Sequence, residues 1–140
     1  MLYGFYQHTI DKKNRVQMPA KLREQMSETM VVFKHIEEEC LAVYSEEEWE
    51  KIRQKIDDLP SVENAWFARR VYAYMTLVQP DAQGRILLPQ TLVDYAGLEK
   101  NVTVIGVGNH AEIWDSSKYE KASFKENLPD IVERLKQSGF

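Results

Sequence analysis

The feature that most constrains the fold of this chain is an internal repeat with an offset of 70 positions. The stretch DKKNRVQMPAKLR (11–23) returns as DAQGRILLPQTLV (81–93), with an aspartate, an arginine, an apolar pair and a proline at equivalent places. Further equivalent pairs follow at the same offset, namely Val32 and Val102, Val43 and Ile113, Tyr44 and Trp114, and Trp49 and Tyr119. The chain therefore contains two copies of one supersecondary unit.

Each copy begins with a predicted strand and a tight turn. FYQHTI (5–10) and MTLVQP (75–80) alternate or run apolar and directly precede the turn, which is typical of short strands. The turn needs a residue with a positive φ angle. Gly84 adopts that conformation freely, and Asn14 replaces it in the first copy as the non-glycine residue best suited to the same region.

A short helix and a hairpin complete each copy. Pro19 and Pro89 fit the first turn of a helix, and the two helices are predicted to run to about Met26 and to Ala96, where Gly97 can form a left-handed cap. The strand pairs that follow, predicted as β-hairpins, are MVVFKHI with CLAVY and NVTVIGV with AEIWD.

Additional helices flank the two copies. Ser45 is a predicted N-cap with Glu48 three residues later, and the helix that follows places Trp49, Ile52, Ile56 and Leu59 on one face. The other predicted helices are VENAWFARRVYAY, DSSKYEKASF and PDIVERLKQ, the last closed by Gly139. An exposed patch for neighbouring subunits is an alternative interpretation of Trp66, Phe67, Val71 and Tyr72.

The pattern predicts an α+β fold with one pseudo-symmetric domain. Because four short strands cannot bury both faces alone, we expect the two copies to intertwine into a small β-barrel whose ends are plugged by the two short helices. The expected boundaries are 5–47 for the first repeat, 48–75 for linking helices, 76–119 for the second repeat and 120–140 for a C-terminal helical segment.

Charge distinguishes the two copies. The chain carries a net charge of -4, yet residues 11–23 hold five basic side chains against Asp11, a net of +4, while residues 81–93 sum to zero. A local basic patch on an acidic body can bind nucleic acid. The alternative interpretation is that these basic residues are ordinary surface side chains at the start of a solvated helix. The basic residues are Lys12, Lys13, Arg15, Lys21 and Arg23.

Other chemistry is weakly indicated. His8, His35 and His110 lack metal-ligand spacing, so the sequence predicts no metal and no cofactor, and His110 is expected to be solvent-exposed in a hairpin turn. Cys40 lies in an apolar segment that favours a buried, inert thiol. No catalytic constellation is recognisable, so we expect no enzymatic activity.

The two D-x-x-x-R-x-x-x-P turns resemble those of a known family. DAQGRILLP followed by AGL and VTVIGVGNHAEIW is similar to the signature of MraZ, a family of bacterial DNA-binding transcriptional regulators with two SpoVT-AbrB-type, swapped-hairpin repeats. The resemblance covers essentially the whole chain. It implies DNA-facing loops, ring-like homo-oligomers and repression of the promoter of the division and cell-wall gene cluster.

Carried onto this sequence, the resemblance implies that Arg15 and Arg85 face DNA. Lys12 and Lys13 would contact phosphate by charge, and Lys21 and Arg23 complete the candidate set. Alternatively, each arginine pairs only with its own turn aspartate. The charge difference between the copies favours Arg15 as the DNA-contacting residue and leaves the second copy for packing or subunit contact.

The expected partners are double-stranded DNA with short direct repeats and further copies of the chain, without a membrane, in the cytoplasm and at the nucleoid. Two rival functions remain open. One is a swapped-hairpin antitoxin that neutralises a small toxin, although the duplication argues against it. The other is an enzyme on a small barrel of related topology.

Overall fold

Eight strands and a series of short helices make up the chain in a computed structural model, which describes residues 1–122 and 128–140. The strands are β1 Leu2–Thr9, β2 Arg15–Gln17, β3 Met30–Lys34, β4 Leu41–Ser45, β5 Thr76–Val78, β6 Arg85–Leu87, β7 Asn101–Gly108 and β8 Ala111–Asp115. The helices are α1 Ala20–Arg23, α2 Glu46–Asp57, α3 Ser61–Phe67, α4 Gln90–Ala96, α5 Ser116–Glu120 and α6 Leu128–Gln137, and a π-helical turn, Ala68–Tyr72, follows α3.

The two repeats exchange strands. Six strands form one antiparallel sheet in the order β1-β7-β8-β4-β3-β5, so the first strand of each repeat pairs with the hairpin of the other repeat. The two hairpins meet at β4 and β8 in the middle of the sheet. The mixed α+β class is therefore confirmed, and the repeats share one sheet.

The expected closed barrel is wrong for the part of the chain that the structure describes. β1 and β5 are the two edges of the six-stranded sheet and do not pair with each other. After β1, Ile10 bridges to Val16, and the chain enters β2, which pairs with β6 in a separate two-stranded ladder. β2 and β6 therefore pair with each other and do not extend the edges of the six-stranded sheet. The edge strand β5 has only three residues with which to pair.

The main core lies among the six-stranded sheet, the β2–β6 ladder and helices α1 and α4. Val16 and Ile86, the central residues of the ladder, are fully buried in it. α1 and α4 contribute Leu22 and Leu92. Both repeats therefore supply equivalent residues to one hydrophobic core, as the duplication predicted.

A second core cluster contains the buried residues of β3 and β4 that do not belong to the main core, and α2 and the π-helical turn cover it. The apolar face predicted for α2 is confirmed for three residues, since Trp49 and Ile56 are buried there and Ile52 packs against them. The fourth, Leu59, lies beyond the end of α2. The alternative of an exposed patch does not hold for Val71, which is 1% exposed, and Phe67 and Tyr72 pack against the same cluster. Trp66 alone of the four stays 49% exposed.

Several local predictions can be checked directly. Ser45 caps α2 by accepting a hydrogen bond from the Glu48 amide at 3.3 Å, and Gly97 ends α4 with a φ of 62°. α1 ends at Arg23, earlier than the predicted Met26. The end of the predicted helix DSSKYEKASF, at 123–124, lies outside the described residues, as does 125–127 of the C-terminal segment. No helix among the described residues has the length and apolar run needed to cross a bilayer.

Candidate nucleic-acid interface

The first Asp–Arg loop, residues 11–15, is built around the Asp11 carboxylate. Its Oδ1 accepts hydrogen bonds from the backbone amides of Lys13 and Arg15, both at 2.9 Å, and its Oδ2 accepts one from Arg15 Nε at 2.7 Å. The Asp11 amide also donates to the Arg15 carbonyl at 3.1 Å. This network fixes the loop backbone and the direction in which the arginine leaves it, while Lys12 and Lys13 remain exposed.

The second Asp–Arg loop, residues 81–85, repeats this network. Asp81 Oδ1 accepts from the amides of Gln83 and Arg85 at 2.9 and 3.0 Å, and Oδ2 accepts from Arg85 Nε at 3.0 Å. Hydrogen bonds from the backbone amide of the following arginine lower the pKa of both carboxyls, Asp11 and Asp81. Both aspartates therefore stay ionised at neutral pH, and each supports its loop.

The two loops lie side by side because the β2–β6 ladder joins them. The Met18 amide donates to the Gly84 carbonyl and the Leu88 amide donates to the Asn14 carbonyl, both at 2.9 Å. Asn14 Nδ2 also donates to Gln90 Oε1 at 3.0 Å. Each turn is thus hydrogen-bonded to the other repeat, and both belong to one surface.

The arginines differ in how strongly carboxylates surround them. Arg85 lies between two, since its Nη1 is 3.8 Å from Asp11 Oδ2 while its Nε binds Asp81. Within residues 1–122 and 128–140, Arg15 pairs with Asp11 alone, and the terminal nitrogens of both arginines are without a hydrogen-bond partner. The two arginines therefore differ in electrostatics, since a second carboxylate lies near Arg85, and not in the number of free donors. The predicted pairing of each arginine with its own turn aspartate is observed. This pairing does not preclude a further contact of the same arginine with DNA.

Arg23 and Lys21 lie on α1 but differ in their surroundings. Arg23 Nε donates to the Met18 carbonyl at 2.8 Å, and its guanidinium covers Gly84, where an added Cβ would be 2.7 Å from Arg23 Cζ. Gln17 covers the same turn by donating to the Gln83 carbonyl at 2.9 Å. In the sequence, the positive charge of Arg23 was counted with the first loop. In the structure, this charge lies against the second loop. Lys21 is exposed.

Asn14 has the positive φ predicted for it, at 61°, equivalent to 82° at Gly84. An alanine in this region suffers a clash of its Cβ with the carbonyl that glycine avoids, and asparagine tolerates the region better than alanine. We expect Asn14→Ala to lower the free energy of unfolding by about 1 kcal/mol more than Asn14→Gly, since both lose the bond to Gln90. Chemical denaturation of the two variants measures the difference. Equal stabilities would contradict the strain assigned to this turn.

A family model described as "MraZ protein, putative antitoxin-like" matches residues 1–68 and 72–138. The chain belongs to the MraZ family. The resemblance of the two Asp–Arg turns to this family is thereby confirmed, and the two matched segments each contain one loop.

Curated relatives in the MraZ family match the chain over its length. The chain is 43% identical to "Transcriptional regulator MraZ" of Acetivibrio thermocellus, covering 100% of both chains. It is 42% identical to the protein of the same name from Caldanaerobacter subterraneus subsp. tengcongensis, covering 96% of each. It is 39% identical to that of Caldicellulosiruptor bescii, again covering 100% of both.

A cluster that sequence reasoning missed lies where the hairpins of the two MraZ-type repeats meet. His35 Nε2 and His110 Nε2 each lie 3.2 Å from Glu112 Oε2, and Trp114 Nε1 donates to Glu112 Oε1 at 2.9 Å. The expectation of an exposed His110 is wrong, since its side chain is only 15% exposed. The spacing of the three residues along the chain does not predict this cluster. The glutamate inside the apolar strand AEIWD, however, indicates a buried polar site.

Electrostatics of this cluster differ from those of the loops. Burial alone would raise the pKa of the Glu112 carboxyl, but hydrogen bonds from His110, His35 and Trp114 outweigh it and hold that pKa far below its ordinary value. The hydrogen bond to Glu112 raises the pKa of His35, against the effect of burial. Nearby, Cys40 is buried, which raises the pKa of its thiol and agrees with the predicted inert thiol.

Proposed function

We propose that this chain is a sequence-specific DNA-binding transcriptional regulator that acts as a repressor. The observation that carries the proposal is the first Asp–Arg loop, in which a rigid hydrogen-bonded frame presents Lys12, Lys13 and Arg15 at the surface. The relatives that match over their whole length are named transcriptional regulators, which agrees with that use. The target in this proposal is the promoter of the division and cell-wall gene cluster, which the family resemblance implies.

Arg15 in this proposal contacts base edges, and the lysines contact phosphates. Arginine presents several donors in a planar fork and binds two acceptors of a guanine edge, whereas a lysine acts as a point charge. Arg85, Arg23 and Lys21 belong to the periphery of the same surface. Arg85 contributes less because two carboxylates flank it.

Salt dependence tests the role of the lysines. Each phosphate contact adds about 0.9 to the slope of log K against log salt, because binding releases a condensed counterion. We expect Lys12→Ala and Lys13→Ala each to weaken binding to every DNA sequence alike and to lower the slope by about 0.9 per binding subunit. The measurement is a salt titration of retardation of a fragment carrying the chain's own promoter.

Lys55→Ala is the matched control for that titration, because Lys55 is an exposed lysine on α2. It is expected to leave both the affinity and the slope unchanged. If the Lys12 and Lys13 variants also keep the wild-type slope, the first loop does not contact phosphate and the proposed interface is wrong.

Assembly is the second part of the proposal. One loop with a handful of charges makes few phosphate contacts, whereas several loops on one closed homo-oligomer gain affinity through effective concentration when the DNA offers repeated sites. We expect a ring-like homo-oligomer, composed of swapped-hairpin repeats, that binds short direct repeats at the nucleoid. Light scattering measures the mass, and a monomer that still binds the promoter tightly would contradict this expectation.

The antitoxin-like wording of the family description supports a second candidate function, the neutralisation of a small toxic protein. Co-purification of the untagged chain from its source tests it. A small protein that binds in a fixed ratio and displaces DNA would favour this candidate, whereas promoter binding by the chain alone favours the regulator.

A further inference from the structure

His35, His110 and Glu112 bring together donor atoms from both repeats. His35 directly follows β3, His110 lies in the turn between β7 and β8, and Glu112 lies on β8. One ring nitrogen of each imidazole and a carboxylate oxygen all lie within 4.8 Å of one another. The side chains are 20%, 15% and 12% exposed, so the cluster is shielded from water but reachable by a small ion.

The donors are of the type and spacing that a transition-metal ion needs. Zn²⁺ binds imidazole nitrogen and carboxylate oxygen at about 2.0–2.2 Å, which places two donors at a tetrahedral angle roughly 3.4 Å apart. Both Nε2 atoms are already 3.2 Å from Glu112 Oε2. These two nitrogen–oxygen spacings are therefore already close to those around a bound ion.

Neighbouring groups orient two of the three donors. Trp114 Nε1 donates to Glu112 Oε1, which leaves Oε2 to face both imidazoles. His110 Nδ1 is 2.7 Å from Asn109 Oδ1, and the imidazole stacks on the Tyr44 ring at 4.7 Å. Hydrogen bonds of this kind to a ligand's second polar atom are characteristic of metal sites, because they fix the orientation of the ligand.

His35 needs a change of tautomer to bind a metal. Its Nδ1 accepts hydrogen bonds from the amides of Glu37 and Glu38 at 3.1 and 3.0 Å, so in the neutral ring Nε2 carries the proton. Coordination through Nε2 moves the proton to Nδ1 and breaks both amide contacts. Metal binding by His35 is therefore coupled to a rearrangement of the connection 35–40.

We propose that His35, His110 and Glu112 form a binding site for a divalent transition-metal ion, with Zn²⁺ as the best match to the two imidazoles and one carboxylate. The ion joins the β3–β4 hairpin of the first repeat to the β7–β8 hairpin of the second. Three protein ligands leave one coordination position for water or another small ligand. The site is separate from the Asp–Arg loops in its residues and does not depend on DNA binding.

Metal titration of the untagged full-length chain, stripped with chelator, tests the proposal. We expect one Co²⁺ per chain, with visible ligand-field absorption that Zn²⁺ abolishes by displacement, and a higher melting temperature with Zn²⁺. His110→Gln and Glu112→Gln should lose saturable binding. His8→Gln is the matched control and should bind as the wild type does, and Asn109→Ala should bind about tenfold more weakly.

Nitrogen NMR of the wild-type histidines gives a readout that needs no variant. On addition of Zn²⁺, the ring nitrogens of His35 and His110 should shift, those of His8 should not, and the amide resonances of Glu37 and Glu38 should move as their bonds to His35 break. Absence of saturable binding, or binding with no shift at His35 and His110, would overturn the proposal. So would unchanged binding by folded His110→Gln and Glu112→Gln chains.

Discussion

Arg15→Ala is expected to abolish or greatly weaken binding to promoter DNA, while Arg85→Ala changes the affinity only a few-fold. The physical reason is the difference in carboxylate surroundings: among the residues that the structure describes, Arg15 pairs with Asp11 alone, and Arg85 lies between Asp81 and Asp11. A lost base-edge contact costs about 1–3 kcal/mol per subunit, and in the proposed oligomer the losses of the subunits bound to one DNA would add. Neither arginine belongs to the hydrophobic core, so both variants should fold.

The measurement is retardation of the promoter fragment by wild-type and variant chains at one moderate salt concentration, with the oligomer mass checked in parallel. Arg15→Lys is the matched control, because it keeps the charge but loses the planar fork. If Arg15 binds a base edge, the lysine variant should lose discrimination against unrelated DNA while retaining non-specific binding. Equal losses at Arg15 and Arg85 would mean that both loops contact DNA to the same extent, and an unaffected Arg15→Ala would contradict the proposed interface.

The local structure of the repeats could be predicted because it is determined by short-range chemistry. A positive φ at Asn14 and at Gly97, the Ser45 cap and the Asp–Arg pairing in each loop all involve residues close in sequence. The duplication then indicated correctly that both copies supply one core. Those features depend on steric limits and hydrogen bonds that the same residue types satisfy in any fold.

Long-range geometry could not be predicted in the same way. A closed barrel and an open sheet with a separate ladder bury the same alternating residues, so the pattern of RVQ and RIL does not distinguish between them. Charge counted along the chain placed Arg23 with the first loop, although the fold puts its guanidinium against Gly84. His35 and Glu112 are 77 positions apart in sequence, and only the pairing of β4 with β8 brings them together.

Glu112→Gln is expected to produce a large loss of stability in chelator-treated protein. In the wild type, one carboxylate accepts hydrogen bonds from Trp114, His35 and His110 in a largely buried position. The amide keeps the shape but loses the charge and presents an N–H group to N–H donors, so at least one donor is left unsatisfied. Such a loss costs about 1–3 kcal/mol, and we expect the upper part of that range because both repeats meet at this residue.

The dependence of this loss on pH identifies its cause. The folded pKa of Glu112 is lowered, so its contribution is fully present above the unfolded value of about 4.3 and is lost as the pH falls toward the folded value. The folded pKa of His35 is raised, so the charged part of its contribution is present below about 6.5 and is lost as the pH rises through the folded value. The difference in unfolding free energy between wild type and Glu112→Gln should therefore be largest near pH 5–6 and should shrink below about pH 4. Urea denaturation at several pH values measures it, with Glu120→Gln, at an exposed position of α5, as the control that should show no such maximum. A difference that is constant across this range would mean that Glu112 acts only through its shape, and that neither its charge nor that of His35 stabilises the junction of the two repeats.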